Sequence, residues 1–139
     1  MDHAATARRF YALVSSGDLD AFGDALADDF VEHGDTPGLE PTKEGVLGFF
    51  RMYRAAFPDL QMRPEEILLS GDKAIVRARA TGTHRGEFMG MPATGKSIDI
   101  ALIDILRFGD DGLAHEHWGV IDALAMMQQL GAIPEEPEA

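Results

Sequence analysis

The chain reads as an α+β protein in which a curved antiparallel sheet packs on about three N-terminal helices. Three observations lead there. Apolar residues recur at helical spacing between about Ala4 and Phe57, they alternate at strand spacing between about Gln61 and Ile121, and Gly-Asp turns join the later segments as a meander. A strongly curved sheet laid on helices makes a cone whose mouth is a natural pocket.

The first helix runs from about Ala4 to Ser15, with Phe10, Leu13 and Val14 on one face, Tyr11 beside them and Gly17 to end it. Asp18 caps a short second helix with Leu19, Phe22 and Leu26 inward, which gives way near Phe30 to an extended segment ending in His33. The stretch Gly34 to Pro41 is a loop. Thr42 caps a third helix whose Val46, Phe49, Phe50, Tyr53 and Phe57 form an aromatic stripe, stopped by Pro58, with Asp59 tying down the turn that follows. Strands from about Gln61 to Ser70 and from Lys73 to His84 meet at Gly71-Asp72. The second has mostly small alternate residues, Ala74, Val76, Ala78, Ala80, Gly82 and His84, which either leave room for a pocket or let a helix pack closely. A last short helix starts at Asp122 and ends at Gly131.

The strand that follows the one ending at His84 carries the most informative pattern. Ile98, Ile100, Leu102, Asp104, Leu106 and Phe108 share one face, so Asp104 is a carboxylate aimed into apolar surroundings, where an unpartnered charge costs several kcal/mol or more. Its company depends on the turn Gly109-Asp110-Asp111-Gly112. A three-residue loop with Gly112 left-handed pairs Gly109 with Leu113, sets Asp104 opposite Trp118, and collects Glu116, Trp118 and Asp122 on the Asp104 face. A four-residue loop pairs Phe108 with Leu113 and sets Asp104 opposite His117. The first is expected, because glycine at the last loop position is what that turn requires.

At 139 residues, 45% hydrophobic and 26% charged, the chain is expected to be a single domain over 1–139, with a flexible acidic tail from about 132. A net charge of −12 argues against nucleic acid, whose phosphates repel an acidic surface. The sequence offers no apolar run long enough to span a membrane and no signal-peptide pattern, and it lacks cysteine, so a cytoplasmic location is expected.

The strings GTHRGEFMGMPATGK at 82–96, DILRF at 104–108 and HEHWGVID at 115–122, with FVEHG around His33 and FPD at 57–59, resemble the SnoaL-like polyketide cyclase family of the nuclear transport factor 2-like superfamily. The resemblance covers almost the whole chain. It implies a conical α+β barrel with an enclosed cavity, a homodimer or higher assembly through the sheet, and closure of a polyketide ring by intramolecular aldol condensation without metal or cofactor. It also implies a cavity aspartate as acid/base, and Asp122 is the matching position.

An aldol closure needs a base to take a proton from carbon and a donor for the oxygen that becomes negative. Asp122 is the expected acid/base, with Asp104 or His117 as its partner, although Asp122 also sits where an N-cap would. Glu116 reads as a further polar wall, His33 and His84 as ligand contacts at the pocket mouth, and Trp118 as a platform for a polycyclic substrate or as core. Phe50 and Tyr53, with Tyr11 and Phe57, read as core or cavity wall. His115 and His117 lie two apart, yet no metal site is expected. The expected partner is a hydrophobic, oxygenated small molecule; an isomerase, an epoxide hydrolase or a non-catalytic binding module are the alternatives on the same scaffold.

Overall fold

The computed structural model describes residues 2–34 and 38–134. Two segments expected from the sequence fall partly beyond them: the acidic tail lies outside the described residues from 135 on, and so do positions 35–37 of the loop before the third helix.

Helix α1 (His3–Ser16) is capped at both ends by its own sequence: Asp2 accepts the Ala5 N–H, and Gly17 takes the left-handed conformation that closes a helix at φ +80°. Its buried face is Ala7, Tyr11 and Val14, with Phe10 and Leu13 half-buried beside it. Helix α2 (Leu19–Asp24) starts on the Asp18 cap but is shorter than the apolar spacing suggests. Leu26 opens strand β1 (Leu26–Glu32) instead, because the Ala25 carbonyl is claimed by the Ala114 N–H. Helix α3 (Lys43–Ala56) is capped by Thr42, and Phe57 and Pro58 follow its end. Arg54 near that end donates to the carbonyls of Val14, Ser15 and Leu60, which ties the end of α1 to the end of α3.

The meander follows as β2 (Gln61–Ser70), β3 (Lys73–Thr83), β4 (Ser97–Phe108) and β5 (Ala114–Ile121), and α4 (Ala123–Gln129) comes last. The five strands lie in the order β1-β5-β4-β3-β2, antiparallel throughout except that β1 joins β5 in parallel. This curved, unclosed sheet packs on the helices around one apolar core. Among the described residues no helix is long and apolar enough to cross a membrane.

The small residues of β3 serve mainly close packing. Ala74, Val76 and Ala78 are fully buried without touching the cavity, and a Cβ at Gly82 would come within 3.1 Å of the Phe57 Cβ. Only Ala80 of that row lines the cavity.

The β4–β5 hairpin follows neither expected register along its whole length. The turn is the three-residue one: the Gly109 N–H reaches the Leu113 carbonyl at 3.0 Å, and Gly112 is left-handed at φ +77°. Beyond Phe108–Ala114 a bulge leaves His115 unpaired, so Arg107 meets Glu116, Leu106 meets His117 and Asp104 meets Gly119. The bulge moves β5 by one residue and thereby exchanges its faces. His117 therefore shares the face of Asp104, and Glu116 and Trp118, expected there, turn to the other side.

Candidate active site

The helices and the inner face of the sheet line a partly open cavity of about 170 Å³. That is comparable to an engineered cavity of roughly 150 Å³ that takes up benzene. Its walls are aromatic and aliphatic: Phe10 and Val14 from α1, Phe49, Phe50 and Tyr53 from α3, and Ile100 and Leu102 from β4. No lysine or arginine lines it among the described residues.

One part of the wall is polar, and four elements build it. Asp104 of β4, 7% exposed, accepts the Tyr11 hydroxyl from α1 at 2.5 Å on Oδ2 and faces His117 Nε2 from β5 at 2.7 Å on Oδ1. His117 Nδ1 lies 2.6 Å and 2.7 Å from the two carboxylate oxygens of Glu32, the last residue of β1. Glu32 Oε1 also accepts the Gly34 N–H at 2.9 Å. The result is a continuous chain, Tyr11–Asp104–His117–Glu32, along the cavity wall.

Local sequence explains why these groups meet. Gly119 stands opposite Asp104, and a Cβ there would lie 2.5 Å from Asp104 Oδ1 and 2.7 Å from His117 Cε1, so only glycine leaves the space in which the two side chains touch. Parallel pairing of Glu32 with His117 sets the second carboxylate beside the ring.

The electrostatics follow from the partners. Both ring nitrogens of His117 face carboxylate oxygens, so both are donors and the ring is an imidazolium. Burial pushes the ring toward its neutral form, but hydrogen bonds to Asp104 and Glu32, and then their charges, outweigh it and lift the pKa to about 10. Burial, then the charge and hydrogen bond of Asp104, drive the Tyr11 phenol well above its usual range, so Tyr11 keeps its proton. Burial also pushes Tyr53 up to about 12, and its hydroxyl lies 3.7 Å from the Met126 sulfur.

Of the residues singled out from sequence as site or wall candidates, Tyr11, Asp104, His117, Phe50 and Tyr53 line the cavity. The others do not. Asp122 is exposed and caps α4, accepting the Ala125 N–H at 3.0 Å. His33, Glu116 and Trp118 form a second cluster on the outer face: His33 stacks on Trp118 at 4.6 Å and pairs with Glu116 at 2.9 Å, and Glu116 takes Arg107 at 2.8 Å. His84 is fully buried against Phe57, its Nδ1 accepting the Thr94 N–H, and so secures a loop. His115 sits in the bulge beside Asp111 and Asp29, and among the described residues no group of three acidic, histidine or cysteine side chains could hold a metal ion.

Sequence reasoning missed Glu32 and left Tyr11 as an ordinary wall residue. A signal for Glu32 existed: in β1 it alternates with Phe30 and therefore points to the same inner face.

The model of the SnoaL-like polyketide cyclase family matches residues 4–130. The chain belongs to that family. Among solved structures, AclR from Streptomyces galilaeus, a candidate hydroxylase, is 30% identical with a TM-score of 0.86, over 97% of this chain and 84% of its own. IdmH from Streptomyces antibioticus, a candidate polyketide cyclase, is 34% identical with a TM-score of 0.82, over 94% of this chain and 99% of its own. TsrD from Streptomyces laurentii is 29% identical with a TM-score of 0.83, over 96% and 99%. These likenesses identify the nuclear transport factor 2-like α+β fold. No curated protein matches the sequence.

Proposed function

We propose that this SnoaL-like chain is a cyclase that closes a ring of a hydrophobic, oxygenated polyketide-type molecule by intramolecular aldol condensation, with Asp104 rather than Asp122 as acid/base. The observation that carries the reading is a buried carboxylate at the polar wall of an otherwise apolar cavity, held between a phenol at 2.5 Å and an imidazole at 2.7 Å. Asp104 Oδ2 takes the proton from a carbon flanked by carbonyls. The resulting enolate carbon attacks a second carbonyl carbon of the same molecule, which forms the new carbon–carbon bond and leaves an alkoxide. Tyr11 gives its proton to that alkoxide while taking the proton now on Asp104. The proton removed from carbon thus ends on the product hydroxyl, and both side chains return to their starting states. Tyr11 alone holds its proton too tightly to act, so it relays only in concert with Asp104. The His117 imidazolium stays charged and offsets the negative charge that moves through the site.

The test is Asp104→Asn, assayed on aromatic substrates bearing a 1,3-diketone and checked for intact fold by circular dichroism. Turnover is expected to fall about a hundredfold to ten-thousandfold. A folded variant that keeps full turnover overturns the assignment.

We also infer a homodimer through the outer face of the sheet, where Ile103 and Val120, paired across β4 and β5 next to the Trp118 cluster, are 48% and 69% exposed. Sedimentation as a monomer at micromolar concentration would exclude it.

A further inference from the structure

We propose that Glu32 is a positioning residue that acts through His117, fixing the ring's orientation and keeping both of its nitrogens protonated so that a full positive charge faces Asp104. The inference rests on Asp104 being the base. Glu32 makes no hydrogen bond to Asp104 or Tyr11, so its link to the base runs through the imidazole.

The geometry supports a dedicated arrangement. Glu32 is 8% exposed, and a carboxylate is rarely buried without partners that offset its charge. Its partners are the His117 ring and the Gly34 N–H. Gly34 fits this contact, since a Cβ there would lie 2.8 Å from Glu32 Oε1. The backbone of the same strand end is fastened as well: the His33 N–H reaches the His117 carbonyl at 2.9 Å, so carboxylate and ring are held by one parallel pairing.

The charged and titratable groups that face His117 are Glu32 from β1 and Asp104 from β4, with Tyr11 of α1 behind Asp104; α3 lines the same cavity with Val46, Phe49, Phe50 and Tyr53. Two carboxylates therefore compete with burial for the ring's protonation. Removing the charge of one shifts that balance toward neutral imidazole. A neutral ring can still donate from Nε2 to Asp104, but it brings no charge to offset the developing enolate.

Glu32→Gln tests this, because glutamine keeps the size and can still accept the Gly34 N–H. Nitrogen NMR of the His117 ring is expected to show its titration midpoint lowered by about one pH unit or more, roughly a tenfold loss of imidazolium at a given alkaline pH. The alkaline limb of kcat should move down with it while KM changes little, and Glu32→Asp should restore part of the shift. A merely structural role would move none of these. An unchanged His117 midpoint in a folded Glu32→Gln variant, or in Glu32→Asp should the first not fold, overturns the proposal. If the midpoint falls but the kcat profile stays fixed, Glu32 does hold the ring and it is the assignment of Asp104 that fails.

Discussion

Strand β5 presents a histidine cluster on each of its faces, and the two differ in what surrounds them. Inside, His117 lies between Glu32 and Asp104, both buried. Outside, His33 and Arg107 share the half-buried Glu116, with the exposed His33 stacked on Trp118. The residue types are alike and come from neighbouring positions at the end of β1 and just after it, and in β5, together with β4. Burial makes the difference. On the outer face Arg107 first and His33 second hold the Glu116 carboxyl below its usual range, and salt screens such contacts. On the inner face the same kind of contact must overcome desolvation, so losing one member strands the charge of another. Histidine–carboxylate clusters on one strand thus become chemical or merely adhesive according to the face on which they fall.

The largest effect should come from emptying the centre of the inner cluster. His117→Ala leaves two buried carboxylates without the cation between them, a change expected to cost about 3–5 kcal/mol in urea unfolding near neutral pH. The pH dependence has a definite sign. A folded-state value of about 10 lies above the unfolded value of about 6.5, so the contribution of His117 is complete below about pH 6.5 and is lost as pH rises through about 10. The gap in unfolding midpoint between wild type and His117→Ala should therefore be widest at pH 6 and should narrow toward pH 10. A constant gap would mean that the ring is held by packing and not by its charge.

A smaller effect sharpens the choice of base. Asp122→Ala removes the cap of α4 and is expected to cost about 1 kcal/mol, while Asp122→Asn, which caps equally well, should cost less. Both variants should keep wild-type turnover, since Asp122 is exposed and away from the cavity wall. Loss of turnover in folded Asp122→Asn would return the acid/base role to that residue.

These contrasts also show what could be read from the residues in order. Caps and turns were legible because their chemistry is local: Gly17, Asp18, Thr42 and Gly112 each act within three or four positions. Asp104 stood out because five apolar neighbours on its face leave a carboxylate nothing ordinary to do. Its partners were not legible, because they depend on one unpaired residue, His115, and a bulge has no signature in the alternation HEHW. Glu32 was hidden for a related reason. It reads as the end of a short strand before a loop, and only a parallel pairing across some eighty residues brings it to His117. Tyr11 fits a helical core stripe so well that its hydroxyl, which finds Asp104 ninety-three residues away, goes unremarked.

The smallest expected effect concerns the only tryptophan. The sequence offers Trp118 as a substrate platform or as core, but it stacks on His33 across the sheet from the cavity. Its emission should therefore hardly change when an apolar aromatic ligand that does not absorb in its emission range fills the cavity, even at saturation judged by calorimetry. Dilution is another matter. If two chains pair through this face, separating them exposes the indole to water, and its emission should shift to the red as protein concentration falls through the dissociation range. A strong response to ligand with none to dilution would reverse the comparison, because the outer cluster would then sense the cavity through β5 while taking no part in an interface.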